Sequence, residues 1–119
     1  PFAEVVIAEL DAAPVGFILW FPNYSTFLGR PGIHIEDLFV LPQMRGRGIG
    51  RCLLAWVARV AQERGCGRVE WSVLDWNEPA IAFYRKLGAV PMDDWTVQRV
   101  SGDVLRALAA DDQQGRIRG

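Results

Sequence analysis

The sequence predicts a single α/β domain with a mixed, mostly antiparallel twisted sheet and flanking helices. Three observations predict this class. Short apolar and β-branched segments separated by turn residues fill residues 2–41, as in antiparallel strands that follow one another along a chain. From residue 49 the apolar spacing changes to three and four residues, which indicates a helix. Strand and helix patterns then alternate, and this order predicts one β-α-β crossover.

The first half of the chain predicts three strands. FAEVVIAEL (2–10) and VGFILWF (15–21) are rich in β-branched and aromatic residues, and the turn residues DAAP between them predict a hairpin. The prolines and glycines of residues 22–32 predict a loop. IHIEDLFVL (33–41) predicts the third strand, which alternates at its start and is continuously apolar at its end.

The second half predicts helices between short strands. One helical face after the third strand carries the apolar residues Ile49, Leu53, Leu54, Val57, Val60 and Ala61. The alternation in RVEWSVL (68–74) predicts a fourth strand. Asn77 can cap a following helix, and Gly88 can end it. A last strand near residues 95–100 and a short helix at residues 103–109 complete the order β-β-β-α-β-α-β-α.

The composition is that of an ordinary globular protein. The 119 residues carry a formal net charge of −1, so no overall basic excess argues for a nucleic-acid partner. The longest apolar runs are too short to span a bilayer, and neither end resembles a signal peptide. Two cysteines make no disulfide framework, and no metal-ligand spacing is visible. We therefore expect a cytoplasmic protein without membrane or metal partners, with one domain in residues 1–110 and a flexible tail in residues 111–119.

The stretch QMRGRGIG (43–50) lies directly between the third strand and the first helix. It contains the glycines Gly46, Gly48 and Gly50 and, with the next residue, the arginines Arg45, Arg47 and Arg51. Amides at a helix start lack intrahelical partners, so they form an anion site that glycine lets a ligand approach closely. The stretch therefore predicts a phosphate cradle, and a glycine-rich connector with solvated arginines is the alternative. It matches neither the P-loop pattern nor the dinucleotide fingerprint.

Residues 43–50 resemble motif A of the GCN5-related N-acetyltransferases, written Q/R-x-x-G-x-G/A. Three segments together, IEDLFV (35–40), RGRGIG (45–50) and WNEPAIAFYRKLGA (76–89), resemble the spermidine/spermine (diamine) and thialysine acetyltransferase branch of that family. The similarity extends over residues 33–100. It implies that the amides of motif A bind the diphosphate of acetyl-CoA.

The resemblance also implies a particular sheet geometry. In the family, the strand before motif A separates from its parallel neighbour, and the CoA arm enters the gap. Here these strands are the predicted strands 33–41 and 68–74. The family has a strand and one or two helices ahead of the first hairpin, so a segment preceding Pro1 is expected.

A set of fifteen residues is implied to contact acetyl-CoA. It comprises Leu38, Phe39, Val40, Arg45, Gly46, Arg47, Gly48, Ile49, Gly50, Arg51, Asn77, Pro79, Ala80, Tyr84 and Lys86. Backbone groups of residues 38–40 would meet the pantetheine amides. Asn77 serves equally as a helix cap, and Arg51 and Lys86 are equally well explained as surface charges.

The implied catalytic pair is Tyr84 and Glu36. Tyr84 matches the family tyrosine that protonates the departing thiolate, a role that a phenol with a pKa of about 10 can fill at neutral pH. Glu36 matches the glutamate that helps to deprotonate the amine. The alternatives are a packing role for Tyr84 and a solvated acidic pair for Glu36 and Asp37. His34, two residues before Glu36, is an alternative base.

Two further residues are implied to bind the acceptor. Asp37 matches an aspartate that contacts polyamine, although regular pairing would direct it to the face opposite Glu36 and only a bulge would change this. Trp95 corresponds to a tryptophan of the acceptor pocket.

The predicted function is transfer of an acetyl group from acetyl-CoA to a primary amine of a small cationic acceptor, such as a polyamine, diamine or lysine analogue. The resemblance implies direct attack in a ternary complex and a homodimer. Two alternatives stay open: a non-catalytic CoA-binding module, and a protein or peptide N-acetyltransferase.

Overall fold

The computed structural model describes residues 2–25 and 29–111, and these residues form four strands and three α-helices. The strands are β1 Glu4–Leu10, β2 Ala13–Ser25, β3 Arg30–Val40 and β4 Val69–Glu70, and the helices are α1 Ile49–Glu63, α2 Glu78–Leu87 and α3 Gly102–Ala110. A short 3-10 turn, Pro42–Met44, follows β3. The predicted class, a mixed and mostly antiparallel α/β sheet with helices, is confirmed. Most of the predicted tail lies outside the described residues.

The chain divides into two compact units, residues 1–77 and 78–119. The first unit holds the sheet and α1, and the second holds α2 and α3. The strand order is β1-β2-β3-β4, with antiparallel neighbours up to β3 and a parallel pair between β3 and β4. The predicted division into a domain at 1–110 and a tail stays a prediction.

The predicted hairpin between β1 and β2 is present, with a two-residue turn. Asp11 and Ala12 have φ values of 53° and 64°. Positive φ at both central residues gives the turn a twist that matches the twist of the flanking strands.

An ion pair links the end of α1 to β1. Arg64 at the end of α1 donates hydrogen bonds of 2.5 and 2.6 Å to the Glu4 carboxylate on β1. These bonds hold the pKa of Glu4 below its usual range, but an exposed pair of this kind adds little stability.

The core lies between one face of the sheet and α1. Its buried apolar residues are Val15, Ile18, Trp20, Ile33, Ile35, Leu53, Leu54, Val57 and Ala61. The helical members recur every three or four residues, as the sequence predicts, because that spacing places them on one face. Each large apolar side chain stabilises the fold by about 1.5–3 kcal/mol when it is fully buried. This packing fixes the start of α1 relative to the end of β3.

Three sequence predictions about strands are wrong in part. Residues 22–25 and 30–32 extend β2 and β3 instead of forming a loop, since the two strands stay paired as far as Ser25 and Arg30. The predicted strand 68–74 is a strand only at Val69–Glu70. Residues 95–100, which are described, form no strand. An alternation of apolar and polar residues indicates which side chains could lie on one face of a strand. A strand also needs a neighbouring strand to pair with.

Gly16 makes a close approach that only glycine allows. It lies opposite Val40 in the β2–β3 register, and a Cβ at Gly16 would lie 2.7 Å from the carbonyl oxygen of Phe39. We expect Gly16→Ala to lower the free energy of unfolding by about 1–3 kcal/mol, because β3 must shift. Urea unfolding measures this loss. Gly67→Ala is the control, since its Cβ would lie 3.4 Å from Arg30; equal losses in both variants would contradict the account.

Candidate functional site

The glycine stretch forms the turn between β3 and α1. Leu41 donates its amide hydrogen to the carbonyl of Val15 at 2.9 Å, so the turn starts from a point fixed on the sheet. Gly46 and Gly48 then have φ values of 82° and 80°, in the left-handed region. A Cβ at either residue would meet no atom within 4 Å. Glycine is therefore needed here for the backbone conformation, and not for lack of space.

The first amides of α1 point out of the helix without an internal cap. The first intrahelical hydrogen bond runs from the amide of Cys52 to the carbonyl of Gly48 at 3.0 Å. The amides of Ile49, Gly50 and Arg51 precede it. Gly48 is the N-cap residue, no side chain caps this end, and the first turn carries no acidic residue. These donors and the positive end of the helix dipole make a site for an anion.

The three arginines of this region lie on its exposed surface, but one has a specific contact. Arg45 donates a hydrogen bond from Nε to the carbonyl oxygen of Val40 at 3.1 Å. The remaining guanidinium nitrogens of Arg45, and the exposed side chains of Arg47 and Arg51, can supply positive charge to a phosphate. Val40 is one of the residues implied to contact the cofactor, and its carbonyl is already bonded to Arg45.

β3 and β4 are paired over a very short distance. Their register contains only Ile33 opposite Val69 and His34 opposite Glu70. β3 continues to Val40, paired with β2 alone among the described strands. Alternate peptide groups after His34 therefore face the edge of β3 that is turned away from β2. This edge leads directly into the glycine turn. The family resemblance implies an unpaired edge at this place, where the CoA arm would enter.

A β-bulge brings the two acidic residues of β3 to one face. Leu19 pairs with Asp37 and Trp20 pairs with Ile35, so Glu36 is the extra residue. Ile35 is buried, while Glu36 and Asp37 are both exposed. The opposite faces expected from regular pairing are therefore wrong, because the inserted residue shifts the alternation.

His34 shares this exposed face with Glu36. The Nε2 atom of His34 lies 3.7 Å from Oε2 of Glu36, and both side chains are partly exposed. Across the strand pair, the rings of Phe39 and Phe17 have centroids 5.8 Å apart. The face thus combines two carboxylates and an imidazole with aromatic surface.

The remaining predicted residues are Asn77, the last residue of the first unit, and residues of the second unit. Asn77 directly precedes α2 and donates its amide hydrogen to the carbonyl of Leu74 at 2.9 Å. Pro79 and Ala80 lie in the first turn of α2, and the exposed Lys86 lies in its last turn. Trp95 follows α2 in a segment without regular structure and is 77% exposed.

Tyr84 lies in the middle of α2 and is half-buried. Its ring centroid lies 5.5 Å from that of Phe83. Burial raises the pKa of the Tyr84 phenol above its ordinary value, because burial disfavours the phenolate. Tyr84 is therefore protonated at neutral pH and can act as a proton donor.

Within residues 2–25 and 29–111, no group of three His, Cys, Asp or Glu side chains is arranged to hold a metal ion. Over the same part of the chain, no helix has the length and apolar character needed to cross a bilayer.

Comparison with known proteins identifies a family and several relatives that match most of the chain. The model of the acetyltransferase (GNAT) family matches residues 1–89. The chain is 46% identical over 98 residues to an L-ornithine N5-acetyltransferase from Arabidopsis thaliana, covering 82% of this chain and 43% of the relative. It is 38% identical over 120 residues to a thialysine N-epsilon-acetyltransferase from Bos taurus, covering 92% of this chain and 70% of the relative. The chain thus spans less than half of the plant protein's length.

Solved structures show the same fold. An integron cassette protein of V. cholerae has a TM-score of 0.83 and 28% identity, with 90% of this chain and 66% of that chain covered. An aminoglycoside N-acetyltransferase solved in complex with CoA has a TM-score of 0.71 and 25% identity, with 82% and 75% covered. These matches confirm the family and the similarity to the thialysine-related branch that the three sequence segments predict. The chain belongs to the acetyltransferase (GNAT) family.

Proposed function

We propose that the protein transfers an acetyl group from acetyl-CoA to a primary amine of a small cationic acceptor, such as a diamine or lysine analogue. One observation carries this proposal. The uncapped amides at the start of α1 directly follow a strand whose pairing with its parallel neighbour ends at His34. This is a backbone surface suited to a long ligand that has a diphosphate at one end and amides along its arm.

The residues of the first unit fit acetyl-CoA as co-substrate. The amides of Ile49, Gly50 and Arg51 offer donors to a diphosphate, and nearby arginine side chains add charge. The edge of β3 from Leu38 to Val40 offers peptide groups to the amides of a pantetheine arm, in the manner of an added strand. Arg45 would exchange or share its bond to the Val40 carbonyl when this arm binds.

The proposed chemistry needs a base and an acid. An ammonium group cannot attack a thioester, so Glu36 accepts a proton from the acceptor amine, through a water molecule if needed. The amine nitrogen then forms a bond to the thioester carbonyl carbon, and the carbon–sulfur bond breaks. Tyr84 donates its phenolic proton to the leaving thiolate, the nitrogen releases its second proton to solvent as the amide forms, and solvent returns a proton to Tyr84. The reaction thus yields an amide and free CoA without an acyl-enzyme.

The acceptor class follows from charge and from the relatives. Glu36 and Asp37 share one exposed face, where two carboxylates attract a cationic amine. The relatives named for thialysine and ornithine act on side-chain amines of small amino acids. We therefore propose an acceptor with two or more cationic groups. The predicted homodimer and cytoplasmic location belong to the same proposal.

An amine panel tests the proposal. Acetyl-CoA is supplied to the whole protein with ornithine, thialysine, spermidine or a lysine-containing peptide, and thiol release is measured. We expect turnover of at least one of the free amines, and none when that amine is already acetylated. Turnover of the peptide alone would favour a protein N-acetyltransferase. Binding of CoA without turnover of any amine would favour a non-catalytic module and would contradict the proposal.

A further inference from the structure

We propose that His34 is a positioning residue for Glu36, which sets the orientation of that carboxylate during acetyl transfer. This inference rests on the proposed function, because it concerns the base assigned there. The bulge in β3 matters here because it inserts Glu36 as an extra residue close to His34.

The geometry that carries the inference is local to β3. Glu36 is the inserted residue of the bulge, so its backbone is displaced relative to the regular strand. His34 Nε2 lies 3.7 Å from Glu36 Oε2, within ion-pair distance. The Glu36 side chain is 57% exposed, so neighbouring protein atoms cover less than half of it. A nearby imidazole is therefore the group best placed to restrict where its carboxylate points.

The surroundings of His34 leave Glu36 as its carboxylate partner. On β2 the residue opposite His34 is Phe21, which carries no charge. On β4 the opposite residue is Glu70, and its Oε1 accepts a hydrogen bond of 2.6 Å from Arg68 Nε. The negative charge of Glu70 is thus offset by Arg68.

On β3 itself, Asp37 follows Glu36 on the exposed face. Asp37 adds negative charge near the imidazole. Among the described ion pairs, however, the partner of His34 is Glu36.

His34 can orient the Glu36 carboxylate in either protonation state. A neutral imidazole with hydrogen on Nε2 is a donor, and a small rotation of these exposed side chains closes the 3.7 Å separation to hydrogen-bond distance. A protonated imidazole attracts the carboxylate as an ion pair. Removal of the imidazole therefore leaves the carboxylate without this partner.

Four variants of the whole protein test this role: His34→Phe, His34→Gln, Glu36→Gln and the double variant His34→Phe with Glu36→Gln. Kinetics with the best amine of the panel are measured from pH 5.5 to 9. We expect His34→Phe to lower kcat/KM for the amine about 10-fold, because the carboxylate loses its orientation. The KM for acetyl-CoA should not change. Glutamine keeps a donor amide at this position, so His34→Gln should retain most of the activity that His34→Phe loses.

The double variant gives the decisive comparison. If His34 acts through Glu36, then His34→Phe has no further effect once Glu36 is glutamine. Independent losses that multiply in the double variant, or a His34→Gln variant as impaired as His34→Phe, would overturn this inference and leave the role of Glu36 intact. Full activity of Glu36→Gln would instead overturn the proposed base itself. Thermal melting of each variant shows that the fold is retained in the comparison.

Discussion

Replacing Tyr84 with phenylalanine is expected to lower kcat for acetyl transfer by about 100-fold, which is within the usual range for loss of a general acid. The ring is retained, so its contact with Phe83 on α2 should persist and the helix should remain folded. The departing thiolate loses its proton donor. Steady-state kinetics at pH 7.5 with the best amine acceptor measure the effect, and the Kd for CoA should change little.

The chain offers a matched control for this substitution. Tyr24, on β2, is the other tyrosine, and Tyr24→Phe removes the same hydroxyl from a side chain that is 61% exposed. We expect this variant to keep its activity. Because burial raises the pKa of Tyr84, its donor stays protonated at neutral pH and is lost only in strongly alkaline solution. A kcat for Tyr84→Phe within about 3-fold of the unmodified protein would assign Tyr84 to packing and contradict the acid role.

Glu36→Gln is expected to lower kcat/KM for the amine by about 100-fold at pH 7, because the ammonium form keeps its proton. Part of this loss should be recovered at high pH, where solvent deprotonates more of the amine, whose pKa resembles that of lysine at about 10.4. A pH–rate profile from 6 to 10 measures both effects.

The control for this variant is Glu9→Gln, an exposed glutamate on β1 outside the proposed site. It makes the same change of charge and should leave the profile unchanged. A loss in Glu36→Gln that does not diminish at high pH would show that Glu36 is not needed to remove the proton. A loss of equal size in Glu9→Gln would show an effect of net charge.

The sequence predicts best those elements whose apolar residues recur on one buried face. α1 was predicted from its apolar spacing, because a helix covering a sheet buries one face whatever the strands beyond it do. The left-handed conformation of Gly46 and Gly48 is predictable for a different reason, since these residues lie in a short turn whose conformation is largely local.

Strand ends were predicted poorly because they depend on partners distant in sequence. RVEWSVL alternates throughout, yet pairing with β3 stops at Glu70. PNYS contains a proline and was predicted as loop, yet it pairs with β3. The end of a strand is fixed by where its neighbour continues, and a single sequence does not record this.

The candidate site divides in the same way. The amides of motif A followed from the order of strand, glycine turn and helix. The common face of Glu36 and Asp37 follows from a bulge, which is a property of two paired strands. A signal for it is present in IHIEDLFV, where two acidic residues interrupt the alternation between Ile35 and Leu38. The bond from Arg45 to Val40 had no such signal, because exposed arginines occur in many contexts.

The central claim is that the first amides of α1 bind the diphosphate of CoA, and amide NMR tests it most directly. ¹⁵N-labelled protein is titrated with CoA and, separately, with pantetheine, which lacks the diphosphate. The Gly48→Val variant is titrated as well, because a β-branched residue at a φ of 80° costs about 1–3 kcal/mol and disturbs the turn. Its Kd for CoA should rise at least about 10-fold, which corresponds to about 1.4 kcal/mol.

We predict that CoA shifts the resonances of Ile49, Gly50 and Arg51 at saturation, whereas pantetheine leaves them in place. CoA binding that leaves these three amides unshifted, or that Gly48→Val does not weaken, would contradict the claim.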